Sequence, residues 1–163
     1  MIIIGIDPGT ARVGWAVISV AGPRILTLSY DCITTPTNKS PEERLTIVHR
    51  QLTLLLIKYK PQYLALEDLF FATNAKTVIP VAEARGVILL ASAQQHIPVV
   101  SYSPPAVKLA ITGSGRADKT QVTRMVVKLL HLAKPPKPDD TADALAIALT
   151  HAYSYKLKGK YLL

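Results

Sequence analysis

The chain has 163 residues, of which 49% are hydrophobic and only 18% charged, against roughly 25% charged in ordinary soluble domains. That length suits one domain able to bury about 70% of its unfolded surface, and the apolar content excludes intrinsic disorder. Nineteen Lys and Arg against eleven Asp and Glu leave +8, most of it after residue 99, where ten basic face four acidic side chains; such a flank suits a polyanion, nucleic acid first.

Residues 2–7 are an apolar run closed by Asp7, the pattern of a strand covered on both faces. The N-terminus lacks the basic region and cleavage site of a secretory signal. Residues 12–20 and 24–33 read as two more strands, joined at Ala21-Gly22-Pro23 as an antiparallel meander. The single cysteine, Cys32, cannot form an internal disulfide or a cysteine-rich zinc site, so a reducing cytoplasm is the expected setting. Ser40-Pro41-Glu42-Glu43 carries a helix cap, a first-turn proline and a capping-box acid. That helix runs at apolar spacing to Pro61.

Residues 63–67 predict a short buried strand that the intervening helix allows to lie parallel to the first. A largely apolar helix follows over 79–96, with Pro80 near its start. Its longest apolar run, such as Val87–Ala91, is far short of the ~20 residues of a membrane span. A fifth strand covers 98–102. Ser103-Pro104 starts a helix that Gly113 ends, and Asp118 with Gln121 caps another to about Leu132. Asp139 or Asp140 caps the last helix, which runs to about Tyr155. The expected fold is α/β: a five-stranded mixed sheet flanked by helices on both faces, one domain over 1–155, with a short basic tail over 156–163.

Asp7 closes the first strand and Glu67 the fourth. If those strands are parallel neighbours, both acids emerge at the sheet edge where open α/β folds place ligands. Asp140 and Asp143 lie three apart on one helix face, above the apolar run Ala144–Leu149 that packs on the sheet. Asp139 leaves a one-residue alternative for the inward acid, and Asp140 is preferred for its spacing to Asp143. Taken singly, Asp7 also fits a turn, Asp140 a cap and Asp143 a helix-dipole partner. Taken together, four converging carboxylates call for hard cations such as Mg²⁺. Two such ions ~3.5–4 Å apart can drive phosphodiester hydrolysis.

Several motifs in order carry a resemblance. They are Gly5-Ile6-Asp7-Pro8-Gly9-Thr10 with Gly14, Leu66-Glu67-Asp68-Leu69-Phe70-Phe71 with Asn74 and Ala84-Arg85-Gly86, Tyr102-Ser103-Pro104 to Lys108, Gly113 to Lys119-Thr120-Gln121-Val122, and Asp140 to Ala148 with His151. As a set they resemble the RuvC family of bacterial Holliday-junction resolvases, within the RNase H-like (retroviral integrase) superfamily. The resemblance implies a homodimeric, Mg²⁺-dependent endodeoxyribonuclease of recombination and repair, with Mn²⁺ substituting and two ions per subunit. Such an enzyme nicks two opposed strands of a four-way junction symmetrically, leaving 5′-phosphate and 3′-hydroxyl ends, at thymine-containing sequences. By position it makes Asp7, Glu67, Asp140 and Asp143 the metal ligands and Lys108 and Lys119 the phosphate-holding lysines, with Lys119 catalytic. Phe70 becomes the base-unstacking aromatic, and residues 79–96, with Arg85 and Val87, the dimer interface. It also implies work with the RuvA–RuvB branch-migration complex. Asp68, Asp139 and Thr141 depart from the family's pattern. His151 reads as a packing residue or a support for the ligands.

Three alternatives compete with this reading. An RNase H-like nuclease acting on RNA-containing or precursor-RNA substrates would share the metal site. An actin-like phosphotransferase would need a second domain to clasp its nucleotide. A non-catalytic junction binder would be expected to lack one of the four acids.

Overall fold

The computed structural model describes the backbone of residues 1–69 and 75–161 and the side chains of residues 1–69 and 78–155. The elements are β1 (Ile2–Asp7), β2 (Arg12–Ala21), β3 (Arg24–Thr34), α1 (Pro41–Tyr59), β4 (Tyr63–Glu67), α2 (Ala75–Gln94), β5 (Val99–Tyr102), α3 (Pro104–Thr112), α4 (Lys119–Leu129) and α5 (Asp139–Tyr161). They build a mixed sheet of order β3-β2-β1-β4-β5, antiparallel from β3 to β1 and parallel from β1 to β5. Alternation along β1 sorts the core into two layers. Ile4 and Ile6 pack with Leu64, Leu66 and the α1 residues Val48, Leu52 and Leu56. Ile3 and Ala65 face the other way, against Leu145, Ile147 and Leu149 of α5 and the α3 and α4 residues Val107, Val122 and Val126.

Local signals act as their chemistry dictates. Ser40 accepts from the Glu43 N–H while Glu43 accepts from the Ser40 N–H, closing the expected capping box; Asp118 and Gln121 do the same for α4. Gly113 ends α3 at φ 80°, a conformation that glycine adopts without a side-chain clash. Among the described residues no helix is long and apolar enough to cross a membrane.

Four boundaries differ from the sequence reading. α2 starts at Ala75, so Pro80 sits inside the helix rather than near its first turn, and His96 at φ 56° closes that end. α4 stops at Leu129 because His131 turns left-handed at φ 51°. Neither Asp139 nor Asp140 caps α5. Both lie in its first turn, where Thr141 donates its N–H and hydroxyl to the Pro138 carbonyl at 3.0 and 2.6 Å. The α5 backbone also continues to Tyr161, through most of the segment expected as a tail. Extending a helix already seated on a sheet costs little beside nucleating one.

The small residues decide how close α5 comes. A Cβ added at Gly5 would strike the Ala144 carbonyl and come within 2.7 Å of the Ala148 nitrogen. One added at Gly14 would strike the Asp140 carbonyl and lie 3.0 Å from the Asp140 Cβ. With Ala16 and Ala65 beside them on the same face, these positions let the α5 backbone rest directly on the sheet. The first turn of α5 is thereby lowered onto the ends of β1 and β2.

Candidate active site

The sheet register brings Asp7 and Glu67 together. β1 and β4 run parallel with Ile6 beside Leu66, so the next residues along, Asp7 and Glu67, are neighbours at the strand ends. By alternation both follow Ala65 and Gly5 onto the α5 side. On the other side of β1, Asp7 stands opposite Gly14, and the Asp140 backbone sits on Gly14. Asp143 lies one turn further along α5, lining with Glu67, Lys108 and Lys119 a cavity of about 230 Å³. An adjoining hollow of about 210 Å³ is walled by Pro8, Glu67, Asp68 and Pro104.

The electrostatics match this crowding. Burial, reinforced by the negative charges of Glu67, Asp143 and Asp140, pushes the Asp7 carboxyl up to about 8, against the pull of Lys119. Glu67 is pushed up to about 7 by burial and by Asp143, with Lys119 and Lys108 opposing. Lys119 is held charged: burial disfavours its ammonium, but the hydrogen bond and charge of Asp143, with Asp139 and Asp140 behind it, outweigh that and raise its pKa. Its Nζ lies 2.9 Å from Asp143 Oδ2 and 4.0 Å from Asp139 Oδ2. The inward acid is Asp140, whose side chain is 31% exposed against 77% for Asp139.

Two neighbours of Asp140 escape the sequence reading. Arg12 Nη1 lies 3.7 Å from Asp140 Oδ2, and the Cys32 thiol lies 4.0 Å from the same oxygen. Burial and the charges of Asp140 and Asp31 push the Cys32 thiol up to about 11, so it is a neutral wall of the site rather than a reactive thiolate. A signal for Arg12 was present: period two along β2 puts it on the same face as Gly14.

Arg85 and Val87, expected at a dimer interface, make these contacts within the chain. Arg85 Nη2 donates to Asp68 Oδ1 at 3.0 Å and Ser101 Oγ at 2.9 Å, and Val87 packs on the core. The exposed apolar residues of α2 are instead Ile79, Leu89 and Leu90. His151 is buried, and Tyr102 Oη lies 2.8 Å from its Nδ1 while its ring packs against Tyr63, with Tyr155 further off. Phe70 lies outside the described residues.

The donor set is all carboxylate oxygen, crowded and partly buried, which fits a hard divalent cation. Among the described residues no three such groups stand close enough together to hold a metal ion as they are placed; Lys119 engages Asp143, and Arg12 approaches Asp140. The raised acids set a pH signature for the metal-free protein. A carboxyl whose pKa is raised by folding stabilises the fold below its ordinary value, and that contribution is lost as pH climbs through the folded value. Without divalent ions the melting temperature should therefore fall between about pH 5 and pH 8. A loss of about 1 kcal/mol corresponds to roughly 2–4 °C in a chain of this size. A hard divalent cation that binds the ionised acids, Mg²⁺ at millimolar concentration being the test, should flatten that slope. A calorimetric Tm that rises across this window without metal would contradict the crowding of Asp7 and Glu67.

Comparison with known proteins gives a consistent picture. Residues 3–151 match the family model described as Crossover junction endodeoxyribonuclease RuvC. The chain is 51% identical over 154 residues to the crossover junction endodeoxyribonuclease RuvC of Fusobacterium nucleatum, covering 94% of this chain and 81% of that one. It is 47% identical over 161 residues to the Halothermothrix orenii protein of the same name, covering 99% and 98%. Thermus thermophilus RuvC superposes with a TM-score of 0.90 at 34% identity over 97% of both chains. The same protein in complex with a Holliday junction substrate gives 0.91 at 34% identity, over 97% and 96%. The yeast mitochondrial Holliday junction resolvase Ydc2, at 14% identity and a TM-score of 0.67, shares the fold. The chain belongs to the RuvC family of crossover junction endodeoxyribonucleases.

Proposed function

We propose that this endodeoxyribonuclease resolves four-way DNA junctions in recombination and repair, nicking two opposed strands symmetrically by Mg²⁺-dependent hydrolysis. The observation that supports it most is the side-by-side placement of Asp7 and Glu67 beneath Asp140 and Asp143, with Lys108 and Lys119 lining the same cavity. Asp7, Glu67, Asp140 and Asp143 would hold two Mg²⁺ ions, with Mn²⁺ able to replace them. Bound there, the ions supply an activated water and charge stabilisation for the departing oxygen. In the overall reaction a water oxygen forms a bond to phosphorus and the P–O3′ bond breaks, leaving 5′-phosphate and 3′-hydroxyl ends.

The protein's own groups divide the remaining work. Lys108 and Lys119 hold non-bridging phosphate oxygens as compact point charges. Arg12 orients Asp140. Phe70, three residues beyond Glu67, stacks on a base unpaired at the crossover. Two-fold cutting calls for a two-fold dimer, which the exposed Ile79, Leu89 and Leu90 of α2 support. Leu90→Glu should shift the protein to monomer in sedimentation and lower paired nicking at least tenfold; an unshifted dimer would move the interface elsewhere. RuvA–RuvB is the proposed branch-migration partner.

The deciding experiment offers purified protein and Mg²⁺ a synthetic mobile four-way junction, a linear duplex and an RNA–DNA hybrid. Symmetric nicks in the junction alone are expected, and preferential cutting of the hybrid would favour an RNA-directed nuclease. Lys119→Ala should lower single-turnover cleavage on the order of 10²-fold, as loss of one positioned transition-state donor does. Unchanged rate and unchanged salt dependence of binding together would remove Lys119 from the phosphate site.

A further inference from the structure

One concave, cationic part of the chain has no role in the chemistry above. Between the C-terminal end of α3 and the outer side of α4, Thr112, Ser114, Arg116, Gln121 and Arg124 line a cavity of about 480 Å³. Arg116 and Arg124 are both exposed, and among the described residues neither takes part in a salt bridge. The acid closest in sequence, Asp118, is occupied as a helix cap, its Oδ1 accepting the Gln121 N–H at 2.8 Å. The Thr112 hydroxyl is likewise spent inside α3, donating to the Lys108 carbonyl at 2.8 Å. What the hollow offers a visitor is therefore two guanidinium forks and the Ser114 O–H, whose oxygen accepts the Arg116 N–H at 3.4 Å. Two like charges sharing a cavity repel one another, and an anion with several acceptor oxygens relieves that. The guanidinium fork matches a phosphate in particular.

Its position adds a direction. Gln121, Arg124 and Lys128 are exposed at helical spacing along α4, so the cationic strip runs on from the hollow. Lys119, the first residue of the same helix, turns the other way onto Asp143. One short helix thus carries a cation into the catalytic cleft and cations round its outer side. We propose that the Arg116–Arg124 hollow is a second phosphate-binding subsite, which grips the sugar-phosphate backbone of a junction arm several nucleotides from the scissile bond. This rests on the junction reading of the cleft, and the test separates the two.

The test measures affinity for a synthetic four-way junction by fluorescence anisotropy, without divalent ions, between about 50 and 300 mM NaCl. Arg116→Gln with Arg124→Gln should weaken binding on the order of tenfold near 100 mM salt. The plot of log K against log salt should become shallower by about 2, one for each phosphate left without its guanidinium. Arg116→Lys with Arg124→Lys should restore the slope, because the charges return. Arg24→Gln with Lys60→Gln removes the same charge near the end of the sheet where β1 and β4 begin, away from the four acids, and should leave the slope as it is. With Mg²⁺ present, the Gln pair should raise KM for the junction more than it lowers kcat. Wild-type affinity and slope in the Gln pair, or an equal change in the control pair, would overturn the subsite. Should the wild type fail to prefer the junction over linear duplex, the junction reading falls instead. The duplex then scores the subsite by the same slopes.

Discussion

Asp7→Asn is expected to reduce junction cleavage by at least about 10³-fold while leaving junction affinity within a few-fold of wild type. The substitution keeps the shape and removes one oxygen of the proposed ligand set from the most crowded position of the site, the acid pushed up to about 8 by burial and by Glu67, Asp143 and Asp140. It deletes a negative charge facing a polyanion, so nothing in the electrostatics predicts weaker DNA binding. The accompanying stability change separates a catalytic role from a structural one. Ionised Asp7 destabilises the metal-free fold at pH 8, so its neutral replacement should raise the melting temperature there and change it little at pH 4. If Asp7 merely braced the turn into Gly9, Asn would lower the melting temperature at both. Glu67→Gln should behave in the same sense, more weakly in stability because its carboxyl is pushed up only to about 7. Variants that cut as fast as wild type would remove these acids from the reaction.

The reach of sequence reasoning follows from what each signal encodes. Asp7 and Glu67 could be placed because each closes an apolar run, and a run of that kind is a strand covered on both faces. The spacing of Asp140 and Asp143 survives in the fold because i and i+3 share a helix face whatever the helix packs on. The surroundings of Asp140 were harder to read. Cys32 comes near it only through the β2–β3 register, with Gly14 opposite Cys32, and register depends on a hairpin that a single sequence under-determines. The contacts of Arg85 are illegible in the sequence for a different reason. α2 buries Ala84, Ile88 and Ala91 yet exposes Ile79, Leu89 and Leu90. Its apolar residues therefore surround the helix, and periodicity cannot select the inward face. Only contact with Asp68 and Ser101 reveals that Arg85 points back to the site edge. Asp68 and Arg85 together brace the chain just after Glu67, which gives that extra acid a local purpose.

Gly14→Ala should damage the same reaction without altering any of the four acids. The added methyl would meet the Asp140 carbonyl and lie 3.0 Å from the Asp140 Cβ, so either α5 rises or the end of β2 bends away. Neither neighbour is a flexible side-chain tip. Overpacking of this kind typically costs about 1–3 kcal/mol, or roughly 2–12 °C in melting temperature for a chain of this size. The larger effect falls on chemistry. Asp140 and Asp143 ride on the turn that moves, and a displacement of about 1 Å at a catalytic constellation can cost on the order of 10²-fold. Cleavage should therefore fall about 10²-fold at a temperature where circular dichroism shows the variant fully folded. Gly5→Ala, which would drive a methyl into the Ala144 carbonyl one turn further along α5, should destabilise in the same way. It should also spoil the site, because β1 carries Asp7 two residues later. A Gly14→Ala protein that melts and cuts like wild type would mean that the contact between β2 and the α5 backbone does not seat Asp140. The four acids would then owe their convergence to something other than the close approach that glycine permits.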